Sequence, residues 1–241
     1  MTNPAVLYEQ AASCFERAGY TARAAGCLEA AGLLTAAAER YKEAGDLTAA
    51  ARCYRAGRKP AEAARCYLAL DDPEQAADTW EQTGDLAEAA FVLARWSRRF
   101  QHARWLATEA MSYPPGPSAP GSAQLRRLRL RAIVALCDAR ATGDSSSLAE
   151  VLLAIEQALP GWPPNDRVHC ESFCLEVTDA VGRYDLAARI LAASYRAGTP
   201  GAGARWRAWA DDALGGTTGV PASTAGAADR ARTASDPAGG G

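Results

Sequence analysis

One histidine and two cysteines lie close together at residues 169–174, where the sequence is HCESFC. Cys170 and Cys174 are four residues apart, which places both thiols on one face of a predicted helix. Thiolates and an imidazole are zinc ligands, but a structural zinc site needs four ligands, and the only other histidine is His102. We therefore favour cysteines packed in a helical core over a metal site that includes His169.

A basic segment precedes this cluster, with four arginines in the run LRRLRLR at 125–131. Arginine side chains bind phosphate groups and acidic surfaces. We interpret the run as a solvated helix face, with contact to an acidic protein or to nucleic acid through Arg126 and Arg129 as the alternatives. The formal net charge of −2 gives the chain no overall attraction to polyanions, so nucleic acid is not the expected partner.

A second basic region lies in the first half of the chain and consists of Arg52, Arg55 and Arg65. Acidic residues flank it in sequence, namely Glu39, Glu43, Asp78 and Glu81. Alternating charge of this kind can fix the register of a bound partner. An ordinary charged surface is the other interpretation.

Three tryptophans are further candidate partner contacts, because tryptophan and arginine are the usual anchors of interfaces. Trp162 lies in the proline-rich segment PGWPP, while Trp206 and Trp209 are three residues apart beside arginines. Closing a helical core is the alternative role, and we favour it for these residues.

No spacing of Ser, His, Asp or Cys residues matches a nucleophilic catalytic site. The glycine-rich segment GTPGAG at 198–203 lacks the Lys-Ser/Thr of a phosphate-binding loop. The sequence therefore predicts a protein that is not an enzyme and that holds no cofactor or metal.

A repeat with a period of 13 residues runs through the first half of the chain. Seven consecutive units cover 11–101, and each begins with alanine. The fifth position is occupied by Phe15, Leu28, Tyr41, Tyr54, Tyr67, Trp80 and Leu93. Each unit predicts one short helix and a tight turn, and because such helices are unstable alone, they must stack on their neighbours.

Three residue types predict the turns. Glycine adopts the left-handed conformation that ends a helix, aspartate accepts from the first N–H groups of the next helix, and proline is tolerated at the first helical position. The glycines are Gly19, Gly32, Gly45 and Gly84, the aspartates are Asp46, Asp72 and Asp85, and the prolines are Pro60 and Pro73.

The pattern A-A-x-x-aromatic-x-x-A-G-D resembles, at the superfamily level, the short helical hairpins of tetratricopeptide-type and clathrin/coatomer-type α-solenoids. The resemblance covers residues 4–111 and implies scaffolding and protein binding rather than catalysis. We predict an all-α fold, a right-handed α-solenoid of stacked short antiparallel helical hairpins with a cap region of longer helices at its C-terminal end.

Four segments are predicted along the chain. Residues 1–111 form the repeat solenoid, 112–123 a linker or loop rich in Pro, Gly and Ser, and 124–215 a divergent helical-hairpin domain. Residues 216–241 have almost nothing to bury and are expected to be disordered.

A basic start followed by an apolar run is missing, and the seven cysteines form no disulfide framework, so we expect a cytoplasmic protein without membrane contact. The predicted function is a non-catalytic interaction scaffold or adaptor that presents a concave helical groove to a protein or peptide. A nucleic-acid-binding or regulatory subunit that uses the arginines at 126–131 is one alternative, and a subunit of an enzyme complex is another. The sequence leaves self-association open.

Overall fold

The structure, a computed structural model, describes residues 3–113 and 120–214, and all regular structure in these ranges is helical. This confirms the predicted all-α class. The helices are α1 (Pro4–Arg17), α2 (Thr21–Ala30), α3 (Leu34–Glu43), α4 (Leu47–Ala56), α5 (Pro60–Ala69), α6 (Pro73–Gln82), α7 (Leu86–Trp96), α8 (Phe100–Ser112), α9 (Pro120–Thr142), α10 (Ser146–Ala158), α11 (Pro164–Asp179), α12 (Tyr184–Arg196) and α13 (Ala202–Leu214), with a 3₁₀ turn (Leu159–Gly161) after α10. No helix in the described ranges is long and apolar enough to cross a membrane.

Two compact units divide the described residues. The first consists of 3–113 and 133–144, and the second of 120–132 and 145–214, so that α9 contributes to both. The segment predicted as a linker at 112–123 is partly helical, because α8 ends at Ser112 and α9 begins at Pro120. Its residues 114–119, and the tail predicted at 216–241, lie outside the described residues.

Helices α1 to α8 pack one on the next in chain order, as expected for a helical-repeat solenoid. Ion pairs also join helices that are two apart. Arg40 on α3 lies 2.8 Å from Glu16 on α1, and Arg52 on α4 lies 2.9 Å from Glu29 on α2. His102 on α8 likewise lies 3.3 Å from Glu81 on α6. From these pairs we infer that the odd-numbered helices form one layer of the stack and the even-numbered helices the other.

Alanine fills the interior of this stack. The first two positions of six consecutive units are at most 3% exposed, and they are Ala24, Ala25, Ala37, Ala38, Ala50, Ala51, Ala63, Ala64, Ala76, Ala77, Ala89 and Ala90. A methyl side chain buries little apolar area itself. Its effect here is to let neighbouring helix backbones approach closely, which gives ten-residue helices a dense interface.

Each turn of the repeat combines the end of one helix with the cap of the next. After α3, Gly45 adopts φ +82° and its N–H donates to Lys42 O over 3.1 Å, while the N–H of Asp46 donates to Tyr41 O over 2.9 Å. These two bonds are a Schellman motif. The Asp46 carboxylate then accepts from the N–H of Ala49 at 2.9 Å and caps α4. The structure confirms the predicted left-handed glycines and aspartate caps.

Two turns place a side chain where the others have glycine. Arg58 (φ +56°) and Asp71 (φ +58°) both lie in the left-handed region. This conformation costs an L-residue about 1–2 kcal/mol, and the cost falls in part on the stability of the fold.

Replacing Arg58 with glycine is expected to raise the free energy of unfolding by about 0.5–1 kcal/mol, because removal of the left-handed strain outweighs the extra entropy of glycine in the unfolded chain. Urea unfolding followed by circular dichroism measures the change. Gly45→Ala is the matched control in the opposite direction and should destabilise the protein. An R58G protein less stable than the parent would contradict this account of the turn.

The C-terminal end of α7 is capped by an arginine from α9. Ser97 follows α7 in an extended conformation, so no Schellman motif forms there. Instead, the Arg140 guanidinium donates to Ala94 O at 2.6 Å and to Arg95 O, and it lies 5.1 Å from the centre of the Phe100 ring. Burial lowers the pKa of Arg140 from its ordinary value. A cation at this end also stabilises the helix dipole.

Arg140→Met should lower the free energy of unfolding by about 2 kcal/mol, since the carbonyls at the end of α7 lose a charged donor in a half-buried place. Thermal melting of both proteins checks the loss. Arg127→Met, which changes an exposed arginine on the same helix, is the control and should cost under about 0.5 kcal/mol. Equal melting temperatures for R140M and R127M would show that the cap contributes nothing.

Large apolar side chains form the interior of the second unit. Its buried residues include Leu125, Leu128, Leu130, Leu148, Leu152, Ile155, Val177, Ile190 and Leu191. Helix α12 contacts α10, α11 and α13 and is therefore central to this unit.

Candidate partner-binding site

The histidine and the cysteines of α11 do not form a site together. Cys170 and Cys174 are fully buried, with their Sγ atoms 4.0 Å apart, whereas His169 is exposed and its Nδ1 lies 2.8 Å from Asn165 O. The Cys170 thiol and burial hold the pKa of Cys174 well above its usual range, which favours the neutral thiol over the thiolate that binds metals. Within 3–113 and 120–214, no group of three His, Cys, Asp or Glu residues is placed to hold a metal ion.

The charged residue between the two cysteines is part of a buried ion pair. Glu171 is fully buried, and its carboxylate accepts from Nη2 of Arg205 on α13 at 3.0 Å and from the hydroxyl of Ser194 on α12. The carboxylate raises the pKa of Arg205 in turn. This network joins three helices of the second unit, so the residues near Cys170 serve packing.

The arginine run at 125–131 divides between the interior and the surface. Its leucines are buried, Arg126 and Arg129 are half-buried, and Arg127 is exposed. The Arg129 guanidinium lies 4.9 Å from the centre of the Phe173 ring, a cation–π distance. The Arg129 guanidinium is therefore in contact with an aromatic ring of the second unit, and little of its surface is accessible to a partner.

The three tryptophans predicted as partner contacts are more buried than Trp96 and Trp105. Trp162 is 4% exposed, and Trp206 and Trp209 are half-buried, with the Trp209 ring 6.5 Å from Tyr184. Trp105 on α8 is by contrast 58% exposed. Trp105 occupies the fourth position of a degenerate repeat unit, where six of the seven earlier units carry Cys, Thr or Val, and the larger side chain is the sequence signal that identifies it.

Arg52 is occupied by an intramolecular contact. It and the Tyr41 hydroxyl both donate to the Glu29 carboxylate at 2.9 Å. Burial, together with the hydrogen bond to Glu29, raises the pKa of Tyr41 to about 12. The three residues come from three consecutive units and hold α2, α3 and α4 together. Arg52 is thus a structural residue of the stack.

Arg55 lines a cleft between the C-terminal ends of α4 and α6, in the even-numbered layer. We call it the α4–α6 cleft; its volume is about 420 Å³, and it is lined by Arg55, Arg58, Pro60, Thr79, Gln82 and Thr83. Arg65 is exposed on α5, in the odd-numbered layer, and does not line the cleft. Of the three arginines in the first-half basic region, Arg55 alone belongs to this concave surface, and it is joined there by Arg58.

Comparison of the chain with protein-family models finds no match, and comparisons with curated proteins and with solved structures find none either.

Proposed function

We propose that this protein is a non-catalytic scaffold that binds a protein or peptide partner through the even-numbered layer of its helical stack. The α4–α6 cleft is the observation that carries the proposal, because it is a concave surface built from three successive helices of the repeat. Ligand-binding sites are commonly concave and contain a few convergent polar groups. Scaffolding is also what the likeness of the repeat to tetratricopeptide-type and clathrin/coatomer-type solenoids implies.

The chemistry of this layer supports a protein partner. Arg55 and Arg58 are exposed in the cleft, and Trp105 is exposed on α8 in the same layer. Arginine and tryptophan supply much of the binding energy in protein interfaces. Stacked repeats keep their buried positions fixed and leave the outward positions free to fit a partner. In this chain, the alanines provide the fixed part and these side chains the variable part.

Site-specific photocrosslinking tests the proposal. The full-length protein carries p-benzoylphenylalanine in place of Gln82, an exposed residue of the cleft, and is irradiated in a native cell extract. The control carries the same group in place of Arg65, exposed on the odd-numbered layer. We expect a recurrent protein adduct from position 82 and none from position 65. The identified partner, expressed and purified alone, should then bind the protein directly.

Equal adducts from both positions, or no direct binding of the purified partner, would overturn the proposal. Adducts with nucleic acid instead of protein would favour the alternative that relies on the arginines at 126–131. If position 82 instead crosslinks to a small molecule, and the protein converts that molecule into a product when the two are mixed, an enzyme would be favoured.

A further inference from the structure

The α4–α6 cleft contains two arginines, Arg55 and Arg58, for which the described part of the chain supplies no acidic partner. No carboxylate oxygen among residues 3–113 and 120–214 lies within 4.0 Å of Arg55 or Arg58. Arg40 on α3 and Arg52 on α4, by contrast, are both in ion pairs. Arg55 and Arg58 therefore give the cleft a local positive charge that no ion pair among the described residues offsets.

The opposite wall of the cleft does not offset that charge. It is formed by Thr79, Gln82 and Thr83, which are uncharged. Both threonine hydroxyls donate to backbone carbonyls of α6, to Gln75 O at 2.8 Å and to Trp80 O at 3.0 Å. Their oxygens keep the capacity to accept, and the exposed Gln82 amide can both donate and accept. The wall can thus hydrogen-bond to a ligand, and it has no carboxylate that would pair with the arginines in place of the ligand.

Arg58 reaches the cleft at an energetic cost. Its φ of +56° puts it in the left-handed region, at a turn position that is glycine in four of the six turns after α1 to α6. Backbone strain of this kind is concentrated at functional sites. Here the strained residue, Arg58, supplies one of the two positive charges of the cleft, whereas a glycine at this position would relieve the strain but remove the charge.

The ligand that complements these features is anionic and small enough for a cleft of about 420 Å³. Arginine binds carboxylates through paired, charge-assisted hydrogen bonds. The chain's formal net charge of −2 gives no general attraction to long polyanions, which favours a short acidic stretch of a protein over nucleic acid. We propose that the α4–α6 cleft binds an acidic segment of the partner, with Arg55 and Arg58 donating to Asp or Glu carboxylates. This inference rests on the proposed scaffold function.

Fluorescence anisotropy with a fluorescein-labelled deca-glutamate peptide tests the inference on the full-length protein, at about 50 mM salt so that the charges are weakly screened. A deca-glutamine peptide is the uncharged control. The test variant is Arg55→Gln/Arg58→Gln. The matched variant is Arg17→Gln/Arg127→Gln, which removes two exposed arginines that do not line the cleft. Melting curves establish that both variants remain folded.

Binding of deca-glutamate should weaken about tenfold or more in R55Q/R58Q and less than about twofold in R17Q/R127Q. Deca-glutamine should not bind. Equal losses in the two variants, or no binding of deca-glutamate up to about 1 mM, would overturn the inference. A fluorescein-labelled dT10 oligonucleotide that binds more tightly than deca-glutamate, with the same dependence on Arg55 and Arg58, would also overturn it by assigning the cleft to phosphates.

The photocrosslinking experiment separates this inference from the proposed function. If the Gln82 position still yields a directly binding protein partner while R55Q/R58Q binds it as well as the parent, the scaffold function stands and the acidic-segment inference is wrong. If position 82 yields no partner, the scaffold function itself fails.

Discussion

Replacing Arg205 with methionine is expected to lower the free energy of unfolding by about 3–5 kcal/mol, the largest effect of any single substitution considered. The variant removes the guanidinium that lies 3.0 Å from the Glu171 carboxylate. Glu171 is fully buried, so its charge would remain in the interior with only the Ser194 hydroxyl to stabilise it. Urea unfolding followed by tryptophan fluorescence measures the loss.

Two further variants isolate the cause. Arg207→Met changes an exposed arginine of the same helix and should cost under about 0.5 kcal/mol. Glu171→Gln combined with Arg205→Met removes both charges and should recover at least half of the lost stability, because a neutral amide is much less costly to bury than an unpaired carboxylate. An R205M protein as stable as R207M would show that the ion pair does not support the second unit.

Tyr54→Ala should destabilise the first unit by about 3 kcal/mol, since it removes a ring that is 6% exposed between short helices. Burial also raises the pKa of the Tyr54 hydroxyl. Much of the buried interior of the stack is alanine, whose methyl group has no rotamer that could fill the space of a lost ring, so the cavity would remain. Thermal melting and urea unfolding both report the change.

Tyr8→Ala is the control for that substitution, because Tyr8 is 44% exposed on α1. It should cost under about 0.5 kcal/mol. Tyr54→Phe keeps the ring and tests the hydroxyl alone, and it should retain most of the stability. A Y54A loss below about 1 kcal/mol would mean that the ring does not fill the interior as described.

The fold of the first unit is predictable because the residues that end one helix and cap the next recur within each repeat. Gly45 is the residue that accepts a left-handed conformation, and Asp46 next to it supplies the oxygen that caps α4. Both effects operate within a few residues, so a pattern in the sequence reports them directly. The alternation of layers follows, because a tight turn reverses the chain and packs each helix against the one before it.

Interactions between distant residues are not visible in the same way. Arg140 caps a helix whose carbonyls are 45 and 46 positions earlier, and Arg205 pairs with a carboxylate 34 positions earlier. Neither arginine differs in its local pattern from the exposed arginines nearby. Their partners are set by tertiary proximity, which a repeat of 13 residues does not encode.

The candidate site was predictable in part. Arg55 follows from the basic region of the first half, whereas its neighbour Arg58 stands at a position that the repeat assigns to a turn glycine. A side chain that replaces glycine in a repeat is the signal that identifies Arg58. Arg52 could not be separated from Arg55 by sequence, because only the structure shows that Glu29 already binds it.

The alternation of helices between two layers has a consequence for how a chain of this kind can change in length. Deleting one unit of 13 residues would transfer every later helix to the opposite layer. Loss of the α7 unit, for example, would separate Glu81 on α6 from its partner His102 on α8, which now lies 3.3 Å away. Deleting two units keeps the parity of all later helices and preserves such pairs. Insertions and deletions within the stack are therefore expected to occur as whole hairpins, so the hairpin, rather than the single helix, is the unit of duplication.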